Sequence, residues 1–392
     1  MMPPGAKIGR SPRNRFMVLY ALLYSAFGVA SPFLPTFIEA RGIPPEQIGM
    51  MFAAGTAIRL ASAPLAGRVA DRTQTLRLTL AVCAVATAAA AVGYLPAWGF
   101  WAILVVSLLH AIALAPTTNL ADALALVASR QGKGFEYGWV RGAGSAAFIL
   151  GSLLSGFAIS SFDLPVIVVL QASLMLTVPL AASRVPPVAR TAGEAVISHA
   201  GAPDLFREPV FRRVVLVAAL VLGSHAMHDT FAVIRWTGAG ISPQAAGVLW
   251  SLSVAAEVFV FFVAGPWLLR VLTPAGAIAL AAVAAASRWL VAAFTADMAA
   301  LIVTQPLHGI TFALLHLACM RLLANTVPAH LAATAQALYG TVGVGAATAL
   351  LTLISGWLYA SMGPPAFAVM SVLCLLALPL AAGLRHRQEP AR

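Results

Sequence analysis

The sequence predicts an all-α membrane protein with twelve transmembrane helices, arranged as two six-helix pseudo-repeats. Three observations predict this fold class. The chain is 60% hydrophobic and only 9% charged, long apolar runs recur from one end to the other, and basic residues gather between alternate runs. Because a soluble protein carries roughly 25% charged residues, this chain has too little charge to cover a surface in water.

Each apolar run is long enough to cross the hydrocarbon core, which takes about 20 helical residues. A segment surrounded by lipid must satisfy its own backbone hydrogen bonds, so every span should be a helix. The predicted spans are residues 16–39, 46–67, 77–95, 100–127, 137–160, 163–183, 211–236, 244–269, 274–294, 298–324, 332–358 and 365–384.

The loops predict the orientation of the chain. The loops on one side clearly hold only Arg41, whereas the loops on the other side hold most of the remaining Lys and Arg residues. By the positive-inside rule, both termini should lie in the cytoplasm.

The net charge of +11 is spread over these loops and does not favour a nucleic-acid partner. Cys83, Cys319 and Cys374 show neither disulfide nor metal-site spacing, so no metal and no cofactor is expected.

A polar stretch near the middle of the chain, residues 184–210, is rich in Pro and Gly. We interpret it as a cytoplasmic linker between an N-terminal bundle, residues 1–183, and a C-terminal bundle, residues 211–392. An internal repeat supports this division, because residues of the first bundle recur in the second at one constant offset. The identical pairs include Pro45 and Pro243, Gly67 and Gly265, Arg72 and Arg270, and His110 and His308.

A possible gating motif follows the second predicted span, where the chain reads Gly67-Arg-Val-Ala-Asp71-Arg72. Gly67 would allow helices to approach closely. Asp71 would pair with basic groups or with a helix N-terminus at the cytoplasmic face, which would hold one conformation and release another. An ordinary charged loop is the alternative interpretation.

Ionisable residues inside the spans are the main indication of function, because a charge at the centre of the bilayer is costly. Asp122 and Arg141 lie in spans four and five, close enough in depth to pair. Glu257, Arg288 and His308 lie in spans eight, nine and ten. The other polar residues inside spans are Gln305 and His316 in span ten and a cluster in span seven, His225, His228 and Asp229. The alternative is that such pairs only hold helices together.

One face of span five would present Arg141, Ser145 and Phe148 at helical spacing. A cation, a hydroxyl and a ring on one face are suited to binding a ligand, although a plain packing stripe is the alternative. Trp250 and Tyr339 are further candidates for contact with an apolar ring.

Four runs give the sequence a specific resemblance: ADALAL, YGWVRGAGSAAFILGS, GVLWSLSVAAEV and LHGITFALLHLACMRLL. They resemble the 3-phenylpropionate transporter family of the major facilitators, from the first span to the last. More distantly, the chain is similar to the lactose permease group of sugar–proton symporters. Both resemblances imply the major facilitator fold and transport by alternating access.

The lactose permease resemblance also implies roles for particular residues. In that group, an acid in span four pairs with an Arg in span five around the substrate, and Asp122 and Arg141 occupy these places. An acid in span eight, an Arg in span nine and a His in span ten handle the proton, which implies this role for Glu257, Arg288 and His308. The group carries a proton-binding Glu one turn after that His, where this chain has Thr311.

We therefore expect a multi-pass transporter of the cell membrane, in bacteria the inner membrane, that is a monomer and not an enzyme. Its substrates would be a small organic acid, such as an aromatic carboxylate, and protons. The proton-coupling residues would be Glu257, Arg288, His308 and His316. A sugar or nucleoside symporter is the main alternative. A drug–proton antiporter fits less well, since span five lacks the Gly-Pro motif of such exporters, and a non-transporting sensor is a further alternative.

Overall fold

The computed structural model describes residues 11–130, 135–186 and 202–385, and all regular secondary structure in these ranges is helical. Eleven helices of this part of the chain are long and apolar enough to cross a membrane. The all-α membrane class is thereby confirmed, whereas the count of twelve and the cytoplasmic termini remain predictions. Most of the predicted linker, residues 187–201, lies outside the described residues, as do both ends of the chain.

The helices follow one another in short steps along the chain. The first seven are α1 (Pro12–Ala30), α2 (Leu34–Glu39), α3 (Pro45–Thr73), α4 (Leu76–Gly93), α5 (Gly99–Arg130), α6 (Tyr137–Phe162) and α7 (Val166–Arg184). The next six are α8 (Ala202–Arg207), α9 (Pro209–Val221), α10 (His225–Gly238), α11 (Pro243–Phe259), α12 (Gly265–Val271) and α13 (Pro274–Phe294). The last five are α14 (Met298–Thr304), α15 (Leu315–Thr326), α16 (Ala332–Leu338), α17 (Ala347–Met362) and α18 (Ala366–Arg385).

The structure divides the first predicted span, residues 16–39, as it also divides span seven, residues 211–236, between α9 and α10. The first span consists of α1 and the short helix α2, with a break between Ala30 and Leu34. The first turn of α1 also carries Arg13, Asn14 and Arg15, which makes this helix less apolar than the others. These two features explain why α1 is not among the eleven apolar helices.

The described chain forms two compact units. The first unit contains residues 11–42, 58–130, 135–186 and 243–248, and the second contains residues 43–57, 202–242 and 249–385. In the first unit, α1 packs along α6 and α7, and α4 packs against α5 and α7. In the second unit, α18 packs against α9 and α13, and α10 packs against α17. The domain boundaries predicted above remain a prediction.

Three segments of the second unit have the wide turns of a π-helix: Val260–Ala264, Gly309–Leu314 and Tyr339–Ala346. Each continues an α-helix, so the backbone shifts its register without ending the span. Wide turns of this kind occur frequently at functional sites. Here they follow closely on Glu257 and His308 and begin at Tyr339, all of which the sequence selected.

The Gly67–Arg72 motif requires a correction. The sequence placed it in the turn after the second span, but α3 continues to Thr73, so Gly67, Asp71 and Arg72 all lie inside the helix. The turn comes later, at Gln74, which has a left-handed φ of 54°. In the described chain, no atom lies within 4 Å of the point where a Cβ of Gly67 would be, so this glycine does not serve close packing. The gating role of the motif remains a prediction.

Candidate functional site

Arg288 is the centre of a buried polar cluster in the second unit. Its position on α13 leaves it only 2% exposed, with its guanidinium carbon 4.6 Å from the ring centre of Trp289. Its Nη1 atom lies 3.4 Å from His225 Nε2, 3.3 Å from His308 Nδ1 and 3.1 Å from Thr311 Oγ1. Its Nη2 atom lies 3.4 Å from Gln305 Oε1. The guanidinium is thus surrounded by side chains from three spans.

The hydrogen-bond partners assign the tautomers of both histidines. His225 Nδ1 lies 3.0 Å from the carbonyl oxygen of Val221, which can only accept, so Nδ1 carries the proton and Nε2 accepts. For His308, the N–H of Arg288 points to Nδ1, so Nδ1 accepts and Nε2 carries the proton. Both rings are therefore neutral, and each turns an acceptor nitrogen toward Arg288.

Glu257 completes the chain of contacts on the far side of His308. Its Oε2 atom accepts from His308 Nε2 at 3.2 Å, and the Glu257 side chain is 25% exposed. The two helices come this close because residue 309 is a glycine. A Cβ on Gly309 would overlap the carbonyl oxygen of Ala256, the residue directly before Glu257. Arg288, His308 and Glu257, which come from three separate spans, therefore form one continuous hydrogen-bonded line.

Arg288 forms no ion pair in the described part of the chain, although Asp229 acts on it electrostatically. The ion pairs of the described residues lie elsewhere. Its partners are two neutral histidines, a hydroxyl and an amide. A buried charge without a directly paired countercharge is unfavourable by several kcal/mol, in order of magnitude. An anionic ligand would supply the missing charge, so Arg288 is suited to binding a carboxylate.

The structure adds three residues to the predicted site: His225, Gln305 and Thr311. Gln305 Oε1 also accepts from Ser253 at 2.5 Å, which fixes the amide beside Arg288. Thr311 occupies the position where the lactose permease group carries a proton-binding Glu. Its hydroxyl instead joins Arg288 to His225 Nε2, at 3.0 Å from the latter. Helical spacing pointed to His225 and Gln305, but no sequence signal showed that Thr311 would join Arg288 to His225.

The predicted residues His316 and Tyr339 form a separate contact in the second unit. Tyr339 is 2% exposed, and its hydroxyl lies 3.3 Å from His316 Nδ1. Glu257 is near enough to interact electrostatically with His316. The wide turns of Gly309–Leu314 separate His316 from His308 along the chain. Trp250 is also buried, with its ring stacked on His228 at a centre distance of 5.2 Å.

In the first unit, Asp122 and Arg141 border the same group of tyrosines. Asp122 Oδ1 accepts hydrogen bonds from Tyr20 at 2.5 Å and Tyr137 at 2.9 Å. The guanidinium carbon of Arg141 lies 4.7 Å from the ring centre of Tyr24, which stacks on Tyr20. The structure shows no direct ion pair between Asp122 and Arg141, because hydroxyls occupy the carboxylate and a ring lies against the cation.

Ser145 and Phe148 lie on α6 with Arg141, and both are partly exposed. One turn further, Ser152 is fully buried and donates to the carbonyl of Gly28 at 3.0 Å. A Cβ on Gly28 would overlap the backbone of Phe148, so α1 and α6 are in direct contact here. The ligand-binding role of Ser145 and Phe148 remains a prediction, while Ser152 holds the two helices together.

Eleven apolar spans that carry buried ionisable clusters define a multi-pass membrane transporter. Residues 14–369 match the model of the MFS_1 like family, and the chain belongs to this family. It is thus a transporter of the major facilitator type and not an enzyme, which confirms the family resemblance found in the sequence.

Two transporters are similar in sequence to this chain over most of their lengths. The chain is 32% identical over 377 residues to a probable 3-phenylpropionic acid transporter of Escherichia coli. The aligned region covers 93% of this chain and 96% of that protein. It is 25% identical over 345 residues to a maltose permease of Geobacillus stearothermophilus, which covers 88% of this chain and 86% of that protein.

The solved structures establish the fold. The nucleoside transporter NupG matches with a TM-score of 0.83 at 17% identity and covers 97% of this chain and 100% of that chain. An inward-facing bacterial homologue of the human lysosomal transporter Spinster matches with a TM-score of 0.72 at 17% identity, covering 99% and 100% of the two chains.

Proposed function

We propose that the protein takes up a small organic acid, such as 3-phenylpropionate, together with protons and by alternating access. One observation carries this proposal: Arg288 is buried and bound only by neutral groups. A monocarboxylate would form a charge-assisted, two-point hydrogen bond with the guanidinium. The relative from Escherichia coli, a probable 3-phenylpropionic acid transporter, supports the same class of substrate.

The surroundings of Arg288 favour an aromatic acid over a purely polar one. The ring of Phe312 stacks on His308 with ring centres 5.5 Å apart and also lies 6.1 Å from the ring of His225. Phe312 is only partly buried, so its outer surface is open to a ligand. A carboxylate on Arg288 with a phenyl ring against Phe312 would satisfy both parts of such a substrate.

His308 links the carboxylate to the proton. In the structure, the N–H of Arg288 occupies the lone pair of His308 Nδ1, which prevents protonation there. A substrate carboxylate would take over this N–H and free Nδ1 for a proton. The resulting imidazolium would lie beside the carboxylate of Glu257, which now contacts Nε2. Substrate and proton would thus favour each other's binding, as symport requires.

Arg141 remains a second candidate for the substrate carboxylate, with Asp122, Ser145 and Phe148 as its neighbours in the first unit. Trp250, Tyr339 and His316 likewise keep their predicted roles as proposals. Comparing variants of Arg141 and Arg288 for carboxylate affinity separates the two candidate cations.

The experiment is uptake of labelled 3-phenylpropionate into proteoliposomes under an imposed pH gradient. In the wild type, we expect the rate of uptake to rise as the inward proton gradient increases. In Glu257→Gln, we expect this uptake to be lost. Uptake that ignores the gradient, with Glu257→Gln fully active, would contradict proton coupling.

A sugar symporter is the second candidate function, since a maltose permease is among the relatives. Unlabelled benzoate, maltose and uridine compete differently under the two proposals. Inhibition by benzoate alone supports an acid transporter, whereas inhibition by maltose or uridine alone supports a sugar or nucleoside transporter.

A further inference from the structure

His228 is a buried histidine with one unused nitrogen. It lies on α10, is 4% exposed, and its Nδ1 atom lies 3.4 Å from Asp229 Oδ1. A carboxylate oxygen only accepts, so Nδ1 carries the proton and Nε2 offers a lone pair. Among the residues that the structure describes, Nε2 has no hydrogen-bond partner. Unpaired buried acceptors are rare and call for an explanation.

A small cavity lies beside this nitrogen. It measures about 10 Å³ and is lined by residues including His228, Arg235, Arg288, Thr304 and Gln305. This is about the space that the centre of one bound water requires. Nε of Arg235 likewise has no partner in the described chain. One water molecule there would accept from Arg235 and donate to His228 Nε2, which satisfies both atoms.

Asp229, on the other side of His228, behaves differently from its neighbours. Its side chain is 56% exposed, whereas the residues before and after it on α10 are buried. The ionisable groups that face its carboxylate electrostatically are His225 on its own helix, Arg288 on α13 and His308 directly before the wide turns of Gly309–Leu314. A carboxylate at this depth of a span is unfavourable in lipid, which indicates that it is exposed to water.

We propose that His228 relays a proton from the cavity to Asp229, and that Asp229 is the carboxylate that holds this proton until substrate binding frees His308 to take it up. The inference rests on the proposed proton-coupled function and names the group that supplies the proton. It also accounts for Thr311, because the acid that is absent from span ten is provided by span seven.

The transfer balances over the two side chains. A hydronium ion, formed when the cavity water takes a proton from the outer solution, gives that proton to the lone pair of His228 Nε2. Its O–H bond breaks to leave neutral water, and the ring becomes an imidazolium. The bond from Nδ1 to its proton then breaks, and that proton passes to Asp229 Oδ1. The carboxylate becomes a neutral carboxyl, and the ring is left neutral with its proton on Nε2. Exchange of ring protons with water restores the starting tautomer.

The cavity is lined by residues from the later part of span seven and the start of span ten, where the predicted topology faces the outside. Protons would therefore enter from the outer surface, pass His228, and neutralise Asp229 near Arg288. Loss of the Asp229 charge would remove its electrostatic attraction for Arg288. The negative charge of the substrate carboxylate would then stabilise Arg288 more strongly. Proton entry would thus precede and favour binding of the acid.

The test uses the full chain in proteoliposomes with 3-phenylpropionate as the probe. Two readouts are compared: substrate exchange without a gradient, and proton uptake on substrate addition, followed with a pH-indicator dye. For Asp229→Asn, the expected result is retained exchange with loss of substrate-induced proton uptake. For Asp229→Glu, both should persist. For His228→Gln, proton uptake should slow by at least about tenfold, the scale of a lost proton-transfer group.

Asp204→Asn is the matched control, because Asp204 is exposed and pairs only with Arg207 in the described chain. Wild-type proton uptake in Asp229→Asn overturns the relay while leaving proton coupling intact. Loss of exchange in both Asp229→Asn and Asp229→Glu also overturns it, since the carboxylate would then be structural. Absence of substrate-induced proton uptake in the wild type itself is a different result and overturns the proposed function.

Discussion

His308 Nε2 lies 3.2 Å from Glu257 Oε2 in the second unit, and the two residues come from different spans. The other nitrogen of the same ring accepts from Arg288. His308 therefore stands between a carboxylate and a guanidinium, and each change of its protonation affects both.

Glu257→Gln should abolish accumulation of substrate against a gradient but preserve exchange of substrate at equilibrium. The amide keeps the size of the side chain and its contact with His308, but it does not supply the charge that stabilises an imidazolium. Accumulation and counterflow in the same proteoliposomes measure the two properties. If exchange fails together with accumulation, Glu257 acts in folding or in substrate binding instead.

His308→Gln should separate Arg288 from Glu257 while leaving Arg288 hydrogen-bonded to His225 and Thr311. We expect substrate binding to persist and its dependence on external pH to flatten. Binding curves at several pH values check this expectation. A variant whose affinity follows pH as in the wild type would show that His308 takes no part in the linkage.

Gly309→Ala should destabilise the protein by about 1–3 kcal/mol, as overpacking in a tight core does. The added methyl would meet the carbonyl of Ala256 and push Glu257 away from His308. Gly142→Ala is the matched control, because the space around Gly142 is open in the described chain. Thermal unfolding in detergent distinguishes the variants, and equal stability of the two would contradict the close approach at Gly309.

Asp122 should couple energetically to Tyr20 and not to Arg141. Tyr20 donates directly to the Asp122 carboxylate, whereas Arg141 makes no ion pair with it in the structure. A double-mutant cycle of Asp122→Asn with Tyr20→Phe should show coupling near 0.6 kcal/mol, about the average for hydrogen bonds in membrane proteins. The cycle with Arg141→Gln should be additive within about 0.5 kcal/mol. The reverse ranking would restore the direct pair that the sequence suggested.

The sequence was sufficient to predict most of the membrane fold, since long apolar runs in lipid have few alternatives to helices. It also selected Glu257, Arg288 and His308, because ionisable residues inside spans stand out against an apolar background. Their mutual contacts depend on the close approach at Gly309, beside wide turns that follow Glu257 and His308 and shift the helical register. Such local shifts leave little trace in composition or spacing.

Two other differences have equally local causes. Spacing placed Asp122 and Arg141 at similar depth, but it gave no sign that Tyr20 and Tyr137 would occupy the carboxylate. Hydropathy likewise ended the second span near Gly67, although nothing in the chain interrupts the helix before Gln74. Charged residues at the end of a helix resemble a loop in a hydropathy profile, and only backbone geometry separates the two.

Arg288→Gln should weaken binding of 3-phenylpropionate more than any change of surface charge. Loss of one charge-assisted hydrogen bond is worth about 1.5–3 kcal/mol, which corresponds to a roughly tenfold to hundredfold rise in Kd. Arg288→Lys should recover part of the affinity, because it restores the charge without the two-point geometry. Arg270→Gln, at an exposed position, is the control and should bind as the wild type does.

The most direct test of the account is the number of protons taken up by the purified wild-type protein per 3-phenylpropionate bound, in weakly buffered detergent solution. The account predicts stoichiometric proton uptake that, at a substrate concentration near the wild-type Kd, falls together with binding in Arg288→Gln. Tight binding of the acid without any proton uptake, or unchanged binding in Arg288→Gln, would contradict it.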